Sequence, residues 1–271
     1  MDRRVAVTVA VASLLLLAGC SALLDGDASG APETSVPTET PTADAPGPTL
    51  DGQSGDDSDA EYPTGYGPDG IANRSIVVQR HVAALVDYDS HIFSYNGFVE
   101  AGNDSASYTF QQPVNHSSEV AYTIEDGAGF TRVSYFEADR RYVRYESDGE
   151  VTYNRTDRAF ERGDFTGSQF VGPLLLFVEY GKAEVIEADG ETVYQYESTD
   201  VLNPDAILRS DLNEERIERF NVTIRVDENG AIRQASFRVE ADRSVSVTMG
   251  VSELGSTNPD RPEWFEQARD S

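Results

Sequence analysis

Three segments near the C-terminal end alternate apolar and polar residues without a slip, and this constrains the fold more than any other feature. Phe220, Val222, Ile224 and Val226 are separated by Asn221, Thr223 and Arg225. Ala235, Phe237, Val239 and Ala241 alternate with Gln234, Ser236, Arg238 and Glu240, and Val245, Val247, Met249 and Val251 with Ser244, Ser246, Thr248 and Ser252. A side-chain period of two gives each segment one dry and one wet face, the signature of antiparallel strands. Asp126-Gly127, Asp148-Gly149, Asp189-Gly190 and Asn229-Gly230 supply the positive φ that tight hairpin turns need. Together they predict an antiparallel meander of roughly eight to eleven strands.

Helices interrupt this pattern. After Asp69 and Gly70, the residues Ile71, Val78, Val82, Leu85 and Val86 share a face at helical spacing, with Asn73, Arg80 and Asp87 opposite and an end near Tyr88. Phe170, Val171, Leu174, Leu175, Leu176, Phe177 and Val178 cluster around Pro173, which suits the first turn of a helix covered on both sides. Asn203-Pro204-Asp205 caps another short helix carrying Ile207, Leu208 and Leu212, and Pro262 opens a C-terminal turn with Trp264 and Phe265. The predicted fold is α+β and β-rich, a curved antiparallel sheet (half-barrel) with helices over the concave face.

The N-terminus has a different purpose. Arg3 and Arg4 precede the uncharged stretch Val5 to Ala18, which is short for a membrane-spanning helix of ~20 apolar residues, and Leu17-Ala18-Gly19-Cys20 closes it. Residues 1–19 read as a signal peptide. The ending resembles a lipobox, which implies a lipid thioether on Cys20, the only cysteine of the chain. Arg3-Arg4 also resembles a twin-arginine signal, while fitting an ordinary basic n-region equally. Residues 20–65 are dominated by Gly, Pro, Ser, Thr and acids, with no aromatic before Tyr62. Such a segment buries too little apolar area to offset ordering entropy, so it is expected to be a disordered, lipid-anchored linker. Residues 66–271 form the β-rich domain.

The chain carries 48 acids against 21 bases, a net charge of −27, and Lys182 is its one lysine. That balance repels nucleic acid and anionic membrane surfaces. It fits a protein kept soluble in molar salt, where the Debye length shrinks to ~3 Å. Five glycosylation sequons begin at Asn73, Asn103, Asn115, Asn154 and Asn221. No nucleophile elbow, His-Glu-x-x-His, paired Cys-x-x-Cys or phosphate-binding loop occurs. His81, toward the side of the first helix, and His91, at the start of a strand, are read as structural rather than as partners of Asp87 or Asp89. The tyrosines 135, 142, 145, 153, 194 and 196 are read as strand residues rather than a sugar-binding face. No enzyme, metal or cofactor is expected.

A lipobox, a tether, an opening helix, a long meander and an apolar helical insertion resemble, in that order, the LolA/LppX-like lipoproteins. The acidic, lysine-poor composition resembles an uncharacterised group of lipoproteins from halophilic archaea. The resemblance implies a half-barrel whose concave side can hold lipid chains. The expectation is an extracytoplasmic lipoprotein, held to the cell membrane through Cys20, that binds a lipid or other apolar ligand without chemistry. Its ligand lining would come from Phe170, Leu174, Phe177 and Val178, with Phe237 and Val247 from the late strands. The alternative is an envelope interaction or structural module with a filled core.

Overall fold

The computed structural model describes residues 61–188, 191–208 and 217–271. Cys20, the signal-like segment, most of the linker, Asp189-Gly190 and Leu212 lie outside the described residues. The composition change at Gly65 falls a little inside the packed domain. Tyr62 rests on Tyr194 with ring centroids 5.0 Å apart, and the Tyr194 hydroxyl donates to the Glu61 carbonyl at 2.8 Å.

After a small hairpin, β1 (Tyr66–Gly67) and β2 (Gly70–Ile71), helix α1 runs Arg74–Asp87. It starts at Asn73, whose side-chain oxygen accepts from the Ile76 N–H at 3.2 Å, so Ile71 belongs to a strand and not to the helix. The buried face of α1 is Val77, His81, Ala84 and Leu85. His81 therefore sits at its centre, not at its side, and Val78, Val82 and Val86 are half-buried.

Six strands follow as a meander: β3 (Ser90–Ala101), β4 (Asp104–Asn115), β5 (Val120–Gly127), β6 (Phe130–Glu137), β7 (Arg140–Ser147) and β8 (Glu150–Asp157). The chain then crosses back through a 3-10 turn (Arg162–Phe165) and helix α2 (Ser168–Phe177). It returns through β9 (Val178–Glu179), β10 (Glu184–Ala188), β11 (Glu191–Ser198), β12 (Asp200–Val201), helix α3 (Pro204–Leu208), β13 (Arg219–Asp227), β14 (Ile232–Glu240) and β15 (Ser244–Ser252). Helix α4 (Phe265–Arg269) closes the chain.

Eleven strands join in one antiparallel sheet, ordered β10-β11-β13-β14-β15-β3-β4-β5-β6-β7-β8. Sheets this wide curl under their own twist. This one is curved, with α1 and α2 on its concave side. The two meanders meet at the centre, where β15 pairs β3 over its whole length. The alternating apolar residues of β13 and β15, and Ala235, Phe237 and Val239 of β14, are all buried.

The turns follow the sequence in part. Asp148 and Gly149 have φ of 54° and 80° and join β7 to β8, and Gly230 (φ 87°) lies between β13 and β14. Asp126-Gly127 is not a turn. Gly127 pairs with Phe130 in the ladder, and the reversal falls on Ala128-Gly129. Between β6 and β7 the turn is Ala138-Asp139, both at positive φ with no glycine to announce it.

Two further points differ from the sequence reading. Pro173 is the sixth residue of α2, because the helix opens at Ser168 behind Gly167 (φ 67°). Helix α4 lies on the convex face. Phe265 packs on Tyr135 and Tyr142, which point opposite to Phe136 and Arg141 of the same strands.

Candidate functional site

The concave face is divided. Over β3, β13, β14 and β15 it is closed by the two helices. Phe170 stacks on Phe93 at 5.7 Å and lies 4.8 Å from Phe110, and Leu174, Leu175 and Val178 are 0–1% exposed within the same core as Phe237 and Val247. Five of the six residues assigned to a ligand lining, Phe170, Leu174, Val178, Phe237 and Val247, are thus buried residues of one core. The apolar cluster packs on Phe93 and Tyr95 of β3 and Phe110 of β4, in one core with the dry faces of the late strands. Phe177, the sixth, lines a cavity.

That cavity lies over the other half, between α2 and the concave faces of β4 to β7, with a volume of about 520 Å³. Small-molecule sites fall at ~300–1,000 Å³. Its helical wall presents Ser168, Gln169, Gly172, Pro173, Leu176 and Phe177, in register with one side of α2. Gly172 is buried, yet a Cβ built on it would meet nothing within 4 Å. The space is real and the helix borders it directly.

The sheet wall changes character from strand to strand. On β4 it is Tyr108, Phe110 and Gln112; on β5, Thr123 and Glu125; on β6, Arg132 and Phe136; on β7, Arg141. Arg158 and Asp164, from the segment after β8, complete the charged side. The ladder sets this gradient: Phe110 pairs Glu125, and Glu125 pairs Arg132. Arg132 grips Glu125 with Nε to Oε1 at 2.9 Å and Nη2 to Oε2 at 2.6 Å. Arg158 holds Asp164 at 2.8 Å. Arg141 donates to the Ser134 hydroxyl at 3.0 Å and forms no ion pair with any described residue. Burial first, then Arg132 and Arg158, push its guanidinium down to about 10, with Glu125 opposing. Gln112 donates to Thr123 Oγ1 at 3.3 Å and leaves its own Oε1 buried without a partner.

Two histidines fix the floor of this cavity. His81 Nε2 donates to the Thr166 carbonyl at 3.0 Å while its Nδ1 accepts from the Ile232 N–H at 3.1 Å. His91 Nε2 donates to the neighbouring Phe165 carbonyl at 2.9 Å. Helix α1 and central strand β3 thereby clamp consecutive carbonyls where the chain turns into α2. Neither histidine meets Asp87 or Asp89, and no three His, Cys, Asp or Glu side chains gather for a metal among the described residues.

The sequons lie apart from the cavity. Asn73, Asn103, Asn154 and Asn221 are exposed, whereas Asn115 donates its amide to the Thr257 carbonyl at 3.2 Å. Of the tyrosines, Tyr135 and Tyr142 lie under α4, and Tyr194 and Tyr196 are core residues with hydroxyls on the Glu61 and Gly67 carbonyls. Among the described residues no helix is long and apolar enough to cross a membrane.

Sequence reasoning missed Arg132, Arg141, Glu125 and Arg158. The signal available was strands β5 to β7 themselves, whose concave positions Thr123, Glu125, Arg132, Ser134 and Arg141 are polar where a filled core would need apolar residues.

The model of a family of unknown function, DUF7537, matches residues 4–268. No curated protein matches the sequence. Among solved structures, LprF from Mycobacterium bovis is similar at 11% identity over 72% of this chain and 99% of that one, with a TM-score of 0.37. The lipoprotein LppX from Mycobacterium tuberculosis is similar at 11% identity over 69% and 97%, with a TM-score of 0.36. A LolA superfamily protein from Nitrosomonas europaea is similar at 11% identity over 71% and 96%, with a TM-score of 0.26. Nothing about a ligand follows from these likenesses.

Proposed function

The chain belongs to DUF7537, a family of unknown function, and from its own cavity we propose that it is an extracytoplasmic lipoprotein that binds a lipid-like molecule without transforming it. One observation carries this reading: a helix crosses half of the concave face without filling it, leaving about 520 Å³ beside the buried, uncrowded Gly172. Mechanism here means burial. At ~25 cal/mol per Å², hiding a few hundred Å² of acyl or isoprenoid surface gains several kcal/mol, enough to hold a chain that water rejects. Phe110, Tyr108, Leu176 and Phe177 provide the apolar wall.

The address rests on the sequence. A lipid on Cys20 anchors the chain at the membrane. The charge of −27 with a single lysine supports a home in a halophilic archaeon.

Lipid extraction and mass spectrometry of protein purified without detergent tests the binding. A co-purifying lipid in near-stoichiometric amount is expected, together with uptake of a neutral apolar fluorophore by lipid-stripped protein. Absence of both would leave an envelope interaction module as the better account.

A further inference from the structure

The cavity is polarised, and its polar end has the wrong sign for this protein. A chain of net charge −27 lines the site with three arginines (Arg132, Arg141, Arg158) against two carboxylates (Glu125, Asp164). Both carboxylates are already engaged, one by Arg132 and one by Arg158. Arg141 is the cation left over. Its guanidinium lies 5.6 Å from the Phe136 ring centroid, and that of Arg158 lies 5.9 Å from the same centroid. Each cation gains something from the aromatic face, but two like charges brought to one ring also repel. Ser134 Oγ, a neutral acceptor, is the only hydrogen-bond partner of the Arg141 guanidinium among the described residues. An anion placed beside Phe136 would relieve this arrangement and take the fork geometry that guanidinium groups offer to carboxylate and phosphate oxygens.

We propose that the cavity selects an amphiphile with an anionic oxygen headgroup, carboxylate or phosphate, bound at Arg141 and Arg158 beside Phe136, with its chain laid towards Phe110 and Leu176. This rests on the lipid-binding reading of the cavity and adds the headgroup to it. The wall already runs in that direction, from aromatic at β4 to cationic at β7. The depressed proton affinity of Arg141 fits the same picture, since a bound anion offsets the burial and the two neighbouring cations that lower it.

The test uses the full-length protein, stripped of lipid and free of detergent, loaded with the neutral reporter N-phenyl-1-naphthylamine. Hexadecanol, hexadecanoate, palmitoyl lysophosphatidate and inorganic phosphate are compared as competitors. An anionic amphiphile should displace the reporter at about a tenfold lower concentration than hexadecanol, the scale of a charge-assisted hydrogen bond. Whichever of carboxylate or phosphate gains more identifies the head. Arg141→Gln should abolish that advantage, Arg141→Lys should restore part of it, and Arg158→Gln should reduce it if Arg141→Gln fails to fold. Equal displacement by alcohol and acids, or an advantage that survives Arg141→Gln, overturns the headgroup site while leaving the cavity intact. Inorganic phosphate competing as well as lysophosphatidate overturns the amphiphile in favour of a free anion. A protein that neither co-purifies with lipid nor takes up the reporter removes the cavity reading itself, and this inference with it.

Discussion

His81 shows how one side chain can hold several elements together. It is fully buried and joins α1 to the segment entering α2 and to the first residue of β14. Its two bonds need a neutral ring, because Nδ1 must accept while Nε2 donates. Burial is the main reason its pKa falls from 6.5 to about 4, with His91 adding to the effect and the Thr166 carbonyl opposing it. Burial likewise brings His116 to about 4 and lowers His91, whose ring centroid lies 5.3 Å from that of His116. A folded-state pKa below the unfolded value means that the unfolded chain binds the proton more readily. Stability is then full above about pH 6.5 and declines as the pH falls towards 4. For His81 alone the gap corresponds to roughly 3 kcal/mol. Urea midpoints measured from pH 7.5 to 4 should fall across that window. His81→Ala should flatten the decline and lower the plateau by about 2–4 kcal/mol, because it strands a buried N–H and leaves a cavity.

Helix α2 decides both what fills the half-barrel and what stays open, and its glycines separate the two roles. Gly167 turns the chain at φ 67°, and a Cβ there would meet the Phe93 ring at 2.3 Å, with that ring already held against Phe170. Gly167→Ala is therefore expected to cost more than about 1 kcal/mol in thermal or urea unfolding. Gly172 is the opposite case. Gly172→Ala should stabilise by about 0.5–1 kcal/mol, as removal of glycine from a helix interior does. Gly172→Leu should keep the fold and abolish uptake of the neutral reporter by occupying the cavity. Retained uptake in a folded Gly172→Leu protein would place the ligand elsewhere. These roles also mark how far the sequence could be read. Strands with one dry face announced themselves, as did the apolar character of Phe170 to Val178. The partner of that apolar run did not, because period and composition say that a face must be covered without saying by what. The run is covered in one core with β3 and the late strands, and the opening falls over β4 to β7. Over β5 to β7 much of the concave side is polar, a pattern that in isolation reads as an exposed strand. Ala138-Asp139 escaped notice for a related reason: its positive φ is imposed by the ladder on both sides and not by a glycine.

At the scale of the molecule, two electrostatic effects oppose each other, and salt separates them. Exposed pairs such as Arg261–Glu137 at 2.7 Å and Arg140–Asp157 at 3.2 Å lose strength as salt is added. In high dielectric such exposed pairs add little, and many contribute nothing measurable. Against them stands the mutual repulsion of a chain at −27, most of it carried by the folded domain. Compaction forces those carboxylates together, and unfolding lets them separate. Raising salt from about 0.1 M to 1 M shortens the Debye length from about 10 Å to about 3 Å, below the spacing of most surface charges. The repulsion is the larger and longer-ranged effect, so it loses more to screening than the contact pairs do. Thermal unfolding in potassium chloride, which avoids the general stabilisation by sulfate, should therefore show a midpoint that rises steadily over that range. A midpoint that falls would mean that the paired arginines, and not the excess of carboxylates, set the stability. Screening bears on the cavity as well. In dilute buffer the acidic surface repels an anionic amphiphile before it reaches Arg141, whereas in molar salt only the groups touching the headgroup matter. The preference for an anionic head over hexadecanol should then come through faster association as salt rises, with dissociation little changed.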